Sequence, residues 1–326
     1  MGQPDESPRE RREPMSRIGL ASVDDGPPAG AEFAASLREA VARFVRLDSL
    51  LGSGAVVDAV VRCFRDAQRV LASGRYRTEL ERDLRAAAAE LGEVAGWMLI
   101  DARRHDDARL INSAALRLAR LAGDTSMQWF ILSNQALAST NSGRPREALR
   151  ISEHFGEDSR VPTRVRALFR LRKARALGEL GDETAALHAF DHARATFGDG
   201  VSGRDPAWAW WFNERELDGH AGSLHASLGR HGAALPLLNS AVELASEAVS
   251  QRWALHVHRA CLLDSALAAG DVAEAERAAT AVVPTLGRRS SVRTEHLLHR
   301  AVVREAGPSS TLSDVLEHIR RRLPPR

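Results

Sequence analysis

GRPREA, residues 143–148, decides the fold because it has four cognates: RRHDDA (103–108), GDETAA (181–186), GRHGAA (229–234) and GDVAEA (270–275). Each ends one helical pattern and starts another. Four of the five open on glycine, which takes the left-handed conformation that terminates a helix at little cost. All close on alanine, whose small side chain lets two helices approach. The final alanines lie 40, 38, 48 and 41 residues apart. That is the span of a helical hairpin, and a recurrence of this length implies a solenoid.

The apolar positions follow the same frame. Ala108, Ile111, Ala115 and Leu118 recur at helical steps, as do Ala148, Ile151 and Phe155, then Ala186, Phe190 and Ala193. Ala234, Leu238 and Ala241, and Ala275, Ala279 and Val282, repeat the pattern. Each set is one buried stripe on the second helix of a hairpin. Twelve residues before each closing alanine stands Gly96, Ala136, Ala174, Gly222 or Leu263, where the first helix is expected to cross the second.

Working outward, residues 34–51 and 55–73 read as one more hairpin around Gly52-Ser53-Gly54. Residues 291–305 and 311–323 read as closing helices, whose polar faces (RTEH, RRR) suit a terminal cap. The first 30 residues are rich in Pro, Gly, Ser and charge, and are expected to form a disordered tail. The predicted layout is a tail over 1–30 and a single all-α solenoid over 31–326. Within it lie an N-terminal hairpin (31–76), repeats (77–285) and C-terminal capping helices (286–326).

The formal charge of +2 gives no strong bias toward nucleic acid or membrane. Lys173 is the single lysine among many arginines. Cys63 and Cys261 are too few for a disulfide framework, which fits a reducing cytoplasm. No apolar run approaches the roughly 20 residues that span a bilayer, and the N-terminus has no signal-peptide pattern.

The two spacings, of closing alanines and of crossing residues, resemble the tetratricopeptide repeat, in a version with longer helices. The resemblance implies a right-handed α-solenoid with a concave groove lined by the first helix of each hairpin. A wider resemblance covers roughly 45–305. RLDSLLGSGAVVDAVV, ELGEVAGWMLIDARRHDDARL and DPAWAWWFNERELDGHAGSL look like the C-terminal helical-repeat region of actinobacterial helix-turn-helix regulators of the XRE type. That region is thought to sense a ligand or partner. No segment ahead of residue 31 reads as the DNA-binding domain, so direct contact with nucleic acid is not expected.

The frame places Trp97, Asp101, Asn134, Asn141, Arg172 and Arg175 on the groove. Asn134 stands where the repeat family often has an asparagine that bonds an extended peptide backbone, and a carboxamide both donates and accepts. Arg172 and Arg175 suit a carboxylate or phosphate. WAWWFNERE (208–216) puts Trp208, Trp211 and Arg215 on one predicted helical face and Trp210 and Glu214 on another. Pro206 is read as the helix start and Asp205 as its cap. Most of this cluster is expected to pack into the space opened by the long 186–234 interval, with Trp211 as candidate pocket wall.

Other constellations carry less. RVRALFRLRKAR (164–175) reads either as a surface for an acidic partner helix, a peptide C-terminus or a nucleic-acid backbone, or as a solvated basic face balanced by neighbouring acids such as those of 181–183. The histidine pairs 220/225 and 256/258 point to different helical faces, and His188/His192 reads as a surface pair, so no metal site is expected. Nucleophile-elbow, phosphate-loop, dinucleotide and zinc-protease signatures are missing, so neither catalytic residues nor a cofactor are expected. The expected function is a non-enzymatic, ligand- or peptide-responsive regulatory module that works through its groove and acts on transcription through a partner. The alternative is a constitutive adaptor or assembly factor in a biosynthetic or signalling complex. The expected partner is a protein or peptide, with a small metabolite as the other candidate ligand and a homodimer as the candidate assembly.

Overall fold

The computed structural model describes residues 29–200, 203–247, 252–287, 291–304 and 309–324. Nearly all of the tail expected over 1–30 therefore lies outside the described residues. Fourteen α-helices follow among the described residues. They are α1 (Ala31–Leu51), α2 (Ser53–Ser73), α3 (Glu81–Asp101), α4 (His105–Ala122), α5 (Thr125–Asn141), α6 (Pro145–Gly156) and α7 (Thr163–Glu179). Then come α8 (Glu183–Gly198), α9 (Glu214–Ser227), α10 (His231–Glu247), α11 (Arg252–Ala269), α12 (Val272–Val282), α13 (Val292–Ala301) and α14 (Ser310–Arg322). No strand occurs among the described residues, only an isolated bridge between Ala29 and Tyr76. No described helix is long and apolar enough to cross a membrane.

The turns explain the helices. Gly143, Gly181, Gly229 and Gly270 have φ between 71° and 82°. In the RRHDDA turn the same place is held by Arg103 at φ 58°, the one non-glycine with positive φ among the described residues. In each turn the next residue's N–H returns to a carbonyl five residues back: Arg104 to Leu99, Arg144 to Ser139, Asp182 to Leu177, Arg230 to His225 and Asp271 to Ala266. This closure satisfies carbonyls that the helix end would leave bare. In two turns the following aspartate starts the next helix: Asp182 accepts from Ala185 N and Asp271 from Glu274 N, each at 3.0 Å.

Packing follows from the small residues. The closing alanines Ala108, Ala148, Ala186, Ala234 and Ala275 have no exposed surface, nor do Ala136, Ala174 and Leu263 at the crossings. At Gly222 an added Cβ would lie 2.6 Å from Leu238 Cγ on α10, so the close approach of α9 and α10 requires glycine there.

Helices α1 to α8 each pack on the next, as do α9 to α12, α12 packs on α14, and the odd-numbered helices also pack on one another in sequence from α1 to α13. The apolar core is accordingly a chain of clusters. One joins α1 to α5, one centres on α7 to α9, and one runs from α9 to α14. The stack does not end open. Helix α1 packs on α11, and Ser291 and Arg293, at the start of α13, both reach Asp101 at the end of α3. The inner face expected to form a concave groove is thus bridged where the two ends meet. Within RTEH, Arg293 turns inward and stacks its guanidinium over Trp97, 5.6 Å from the ring centroid.

Candidate functional site

The odd helices line a partly open cavity of about 400 Å³. Its wall comes mainly from α3, α5, α7, α9, α11 and α13, with His105 of α4 and Trp211 of the segment before α9. Trp97, Asn141, Arg172, Arg175 and Trp211 all line it, so five of the seven residues singled out from the sequence meet there. A second cavity of about 550 Å³ is mostly apolar and lies beside α1, α3 and α5. Trp97 and Trp211 face both cavities, and Asn134 lines the second.

Asp101 and Asn134 hold other positions. Asp101 is buried, with Arg293 Nε 3.0 Å from one carboxylate oxygen and the Ser291 hydroxyl donating to the other at 3.1 Å. It fastens the two ends together. Asn134 is 1 % exposed and donates from Nδ2 to Glu93 Oε1 at 2.7 Å. Its carboxamide is committed to an internal partner, which corrects its placement as a free receptor for an extended peptide. Glu93 pays for its position in charge: burial pushes its carboxyl up to about 8, the Asn134 hydrogen bond opposing and Glu90 reinforcing the rise.

The tryptophan segment is also rearranged. Residues Ala207–Trp211 form a 3-10 turn, and α9 begins at Glu214, capped by Asn213, whose side chain accepts from Glu216 N at 3.2 Å. The shared helical faces expected for 208–215 therefore do not form. Asp205 accepts from Arg164 N at 3.2 Å and so caps α7 rather than the helix after it. Trp208 stacks on Phe130 of α5, with centroids 4.3 Å apart and planes 5° from parallel, and its Nε1 donates to Ser126 Oγ at 2.9 Å. Trp210 is half exposed. Trp211 keeps a buried Nε1 with no hydrogen-bond partner.

The electrostatics of the 400 Å³ cavity are unbalanced. Five arginines (103, 172, 175, 293 and 300) line it against three carboxylates, Glu179, Glu216 and Asp264. Two of those carboxylates are engaged. Asp264 pairs with Arg300, and with Arg304 at 2.7 Å. Glu216 lies 3.4 Å from Arg215 Nε and 3.6 Å from His258 Nε2. Despite burial, these neighbours hold the Glu216 carboxyl below its ordinary value.

Arg172 is 2 % exposed, and its Nε and Nη1 have no hydrogen-bond partner. Burial, with Arg175 adding to it, pulls its pKa down to about 9. Arg175 donates from Nη2 to Asn141 Oδ1 at 3.3 Å, and burial and Arg293 lower its pKa as well. His220 lines the same wall and is held well below its ordinary value by burial and then by Arg172 and Arg175. It is therefore neutral at physiological pH. Among the described residues no group of three metal-ligating side chains converges.

Two other cations of the basic segment are matched locally, while Arg166 keeps a buried Nε without a partner. Arg170 donates to the Gly156 carbonyl at 3.0 Å and pairs with Glu157 at 3.1 Å, and Lys173 lies 3.4 Å from Glu153. The balancing acids sit on α6 and just after it, not at 181–183.

Sequence reasoning passed over Glu93, Arg293 and Asp101's partner Ser291. Glu93 stands among the apolar positions of α3, and a charged residue on an apolar stripe was the available signal. Arg293 gave none, because its partner lies on a helix far away in the chain. Comparison with protein-family models and with curated proteins gives no match.

Proposed function

We propose that this chain is a non-enzymatic, ligand-responsive regulatory module. Its hairpins form a right-handed, tetratricopeptide-like α-solenoid, similar to the sensor region of XRE-type regulators, and it works in the cytoplasm. It acts on transcription through a partner protein and does not itself grip nucleic acid. The observation that carries this is the 400 Å³ cavity, whose wall draws on six successive inner helices and which lies beside the clasp between Asp101 and Arg293. The volume falls within the range of small-molecule sites. A ligand there touches early and late hairpins together. It can therefore favour one curvature of the stack, provided it binds the two curvatures unequally. With Asn134 bonded to Glu93 and the groove bridged at its ends, a small metabolite fits this space better than an extended peptide.

Native mass spectrometry of the purified chain tests this. A retained small molecule, with slowed hydrogen exchange in α3 and α13 when it is present, is the expected result. A chain that retains nothing, and whose exchange no metabolite extract alters, sinks the sensing role. The second reading, a constitutive adaptor or assembly factor, is favoured by Leu110 and Leu121. They lie three turns apart on one face of α4, 70 % and 56 % exposed, and offer a partner two apolar points of contact. A stoichiometric protein partner that is lost on Leu110→Glu, with no dependence on the cavity, would point that way.

A further inference from the structure

The unpartnered buried polar atoms on the cavity wall include several groups that can only donate. Arg172 Nε, Arg172 Nη1 and Trp211 Nε1 are buried donors without acceptors, and all belong to side chains that line the same space. A buried polar group without a partner is costly, and a buried charge more so. Folded proteins rarely leave such groups bare unless something else supplies the partner.

The protein's own carboxylates do not supply it. Among the described residues neither Arg172 nor Arg175 has a carboxylate within ion-pair distance, and Arg175 reaches only the neutral carboxamide of Asn141. Asp264 and Glu216 already serve Arg300, Arg304 and Arg215, and Arg293 is held by Asp101. Arg172 and Arg175 thus lack a direct ion-pair partner, and Glu179, on the same wall, pairs with neither.

The walls say what else the ligand carries. Ile100, Leu137, Val257 and Leu297 line the cavity together with the faces of Trp97 and Trp211. A volume of about 400 Å³ far exceeds what one inorganic anion fills. From these observations we infer that the cavity takes a small organic anion. Its carboxylate or phosphate sits on Arg172 and Arg175, and its apolar body lies between Trp97 and Trp211. This inference rests on the ligand-responsive reading and names the class of ligand.

The test uses the full chain with three probes: inorganic phosphate, phenyl phosphate and 1-naphthoate, with the neutral 1-naphthalenemethanol as control. Thermal shift and titration calorimetry are the readouts. At least one organic anion raises the melting temperature and binds, and the neutral alcohol binds roughly tenfold more weakly or worse, as expected for loss of charge-assisted hydrogen bonds. In Arg172→Met that binding falls by roughly tenfold or more. The variant's own melting temperature without any anion is unchanged or higher, because an unpaired buried charge has been replaced by an apolar chain of similar length.

A merely structural role for Arg172 predicts the opposite, a less stable variant. Trp211→Phe keeps the ring and removes the donor, so it weakens binding severalfold while the fold persists. Binding unaffected by Arg172→Met, or a neutral alcohol that binds as well as the acid, overturns the anion while leaving a ligand-responsive cavity standing. No stabilisation by any of the three anions also overturns it. Equal binding of phosphate and phenyl phosphate overturns the organic part.

Discussion

Arg293 lies with its Nε 3.0 Å from Asp101 Oδ1, so the first turn of α13 is tied to the last turn of α3 across the full run of hairpins. The carboxylate is nearly buried and also accepts from Ser291. Removing one partner of such a pair leaves the other's charge without its match. Asp101→Ala is expected to cost about 2–4 kcal/mol, with faster hydrogen exchange confined to α13 and the end of α3. A double-mutant cycle with Arg293→Ala should return a coupling of about 1 kcal/mol or more. Additive effects would mean that the two ends are held by packing of α1 on α11 alone.

Glu93 sets a pH dependence. Its carboxyl is pushed up to about 8, from an ordinary value of 4.5, chiefly by burial. The folded state therefore keeps a proton that the unfolded chain gives up above about pH 4.5. Stability from this group is present at low pH and falls as pH rises from about 4.5 through about 8, then levels off. Glu93→Gln keeps an oxygen for Asn134 Nδ2 and carries no charge. It should flatten the decline between pH 6 and pH 9 and gain about 1–3 kcal/mol at pH 9 by urea denaturation. A decline of the same steepness in the variant would assign the proton elsewhere.

Gly222 opposes a general rule. Alanine at a helix interior is worth up to about 1 kcal/mol over glycine. At this position the new methyl would stand 2.6 Å from Leu238 Cγ and 3.3 Å from the Ala234 carbonyl. Overpacking of that kind costs about 1–3 kcal/mol, so Gly222→Ala should destabilise on balance. Gly198, whose added Cβ meets nothing within 4 Å, is the control and should be neutral or slightly stabilising as alanine. If both substitutions move the melting temperature alike, the crossing of α9 and α10 is looser than drawn.

Arg103 carries a positive φ of 58° where four cognate turns have glycine. A left-handed conformation costs a side-chain-bearing residue about 1–2 kcal/mol, partly offset by the extra freedom glycine has when unfolded. Arg103→Gly should therefore raise stability by about 0.5–1 kcal/mol, measured as a shift in denaturant midpoint with unchanged slope. The side chain is exposed, so little packing is lost. A lower midpoint would mean that its charge at the cavity rim contributes more than the strain removes.

The helices were legible because their determinants are local. Gly143, Gly181, Gly229 and Gly270 end helices wherever the chain runs next, and the alanines five residues later are buried as their spacing requires. The tryptophan segment was misread for the same reason. Pro206 and the apolar spacing allow a helix, but Asp205 is drawn to Arg164 on α7, and Asn213 caps a later start. Competing partners far away in the sequence moved that boundary.

By itself, then, the sequence determined an all-helical chain, its hairpin frame and the set of small residues at which helices cross, since these depend on backbone conformation and contacts within about 40 residues. Only the tertiary structure decided that α1 meets α11, that Asp101 spends its charge on Arg293, that Asn134 turns to Glu93, and that Arg172 is left buried without an acceptor. Closure depends on contacts between elements far apart in the chain, α1 with α11 and the end of α3 with the start of α13. No single turn encodes them, and they bring distant charges into one cavity.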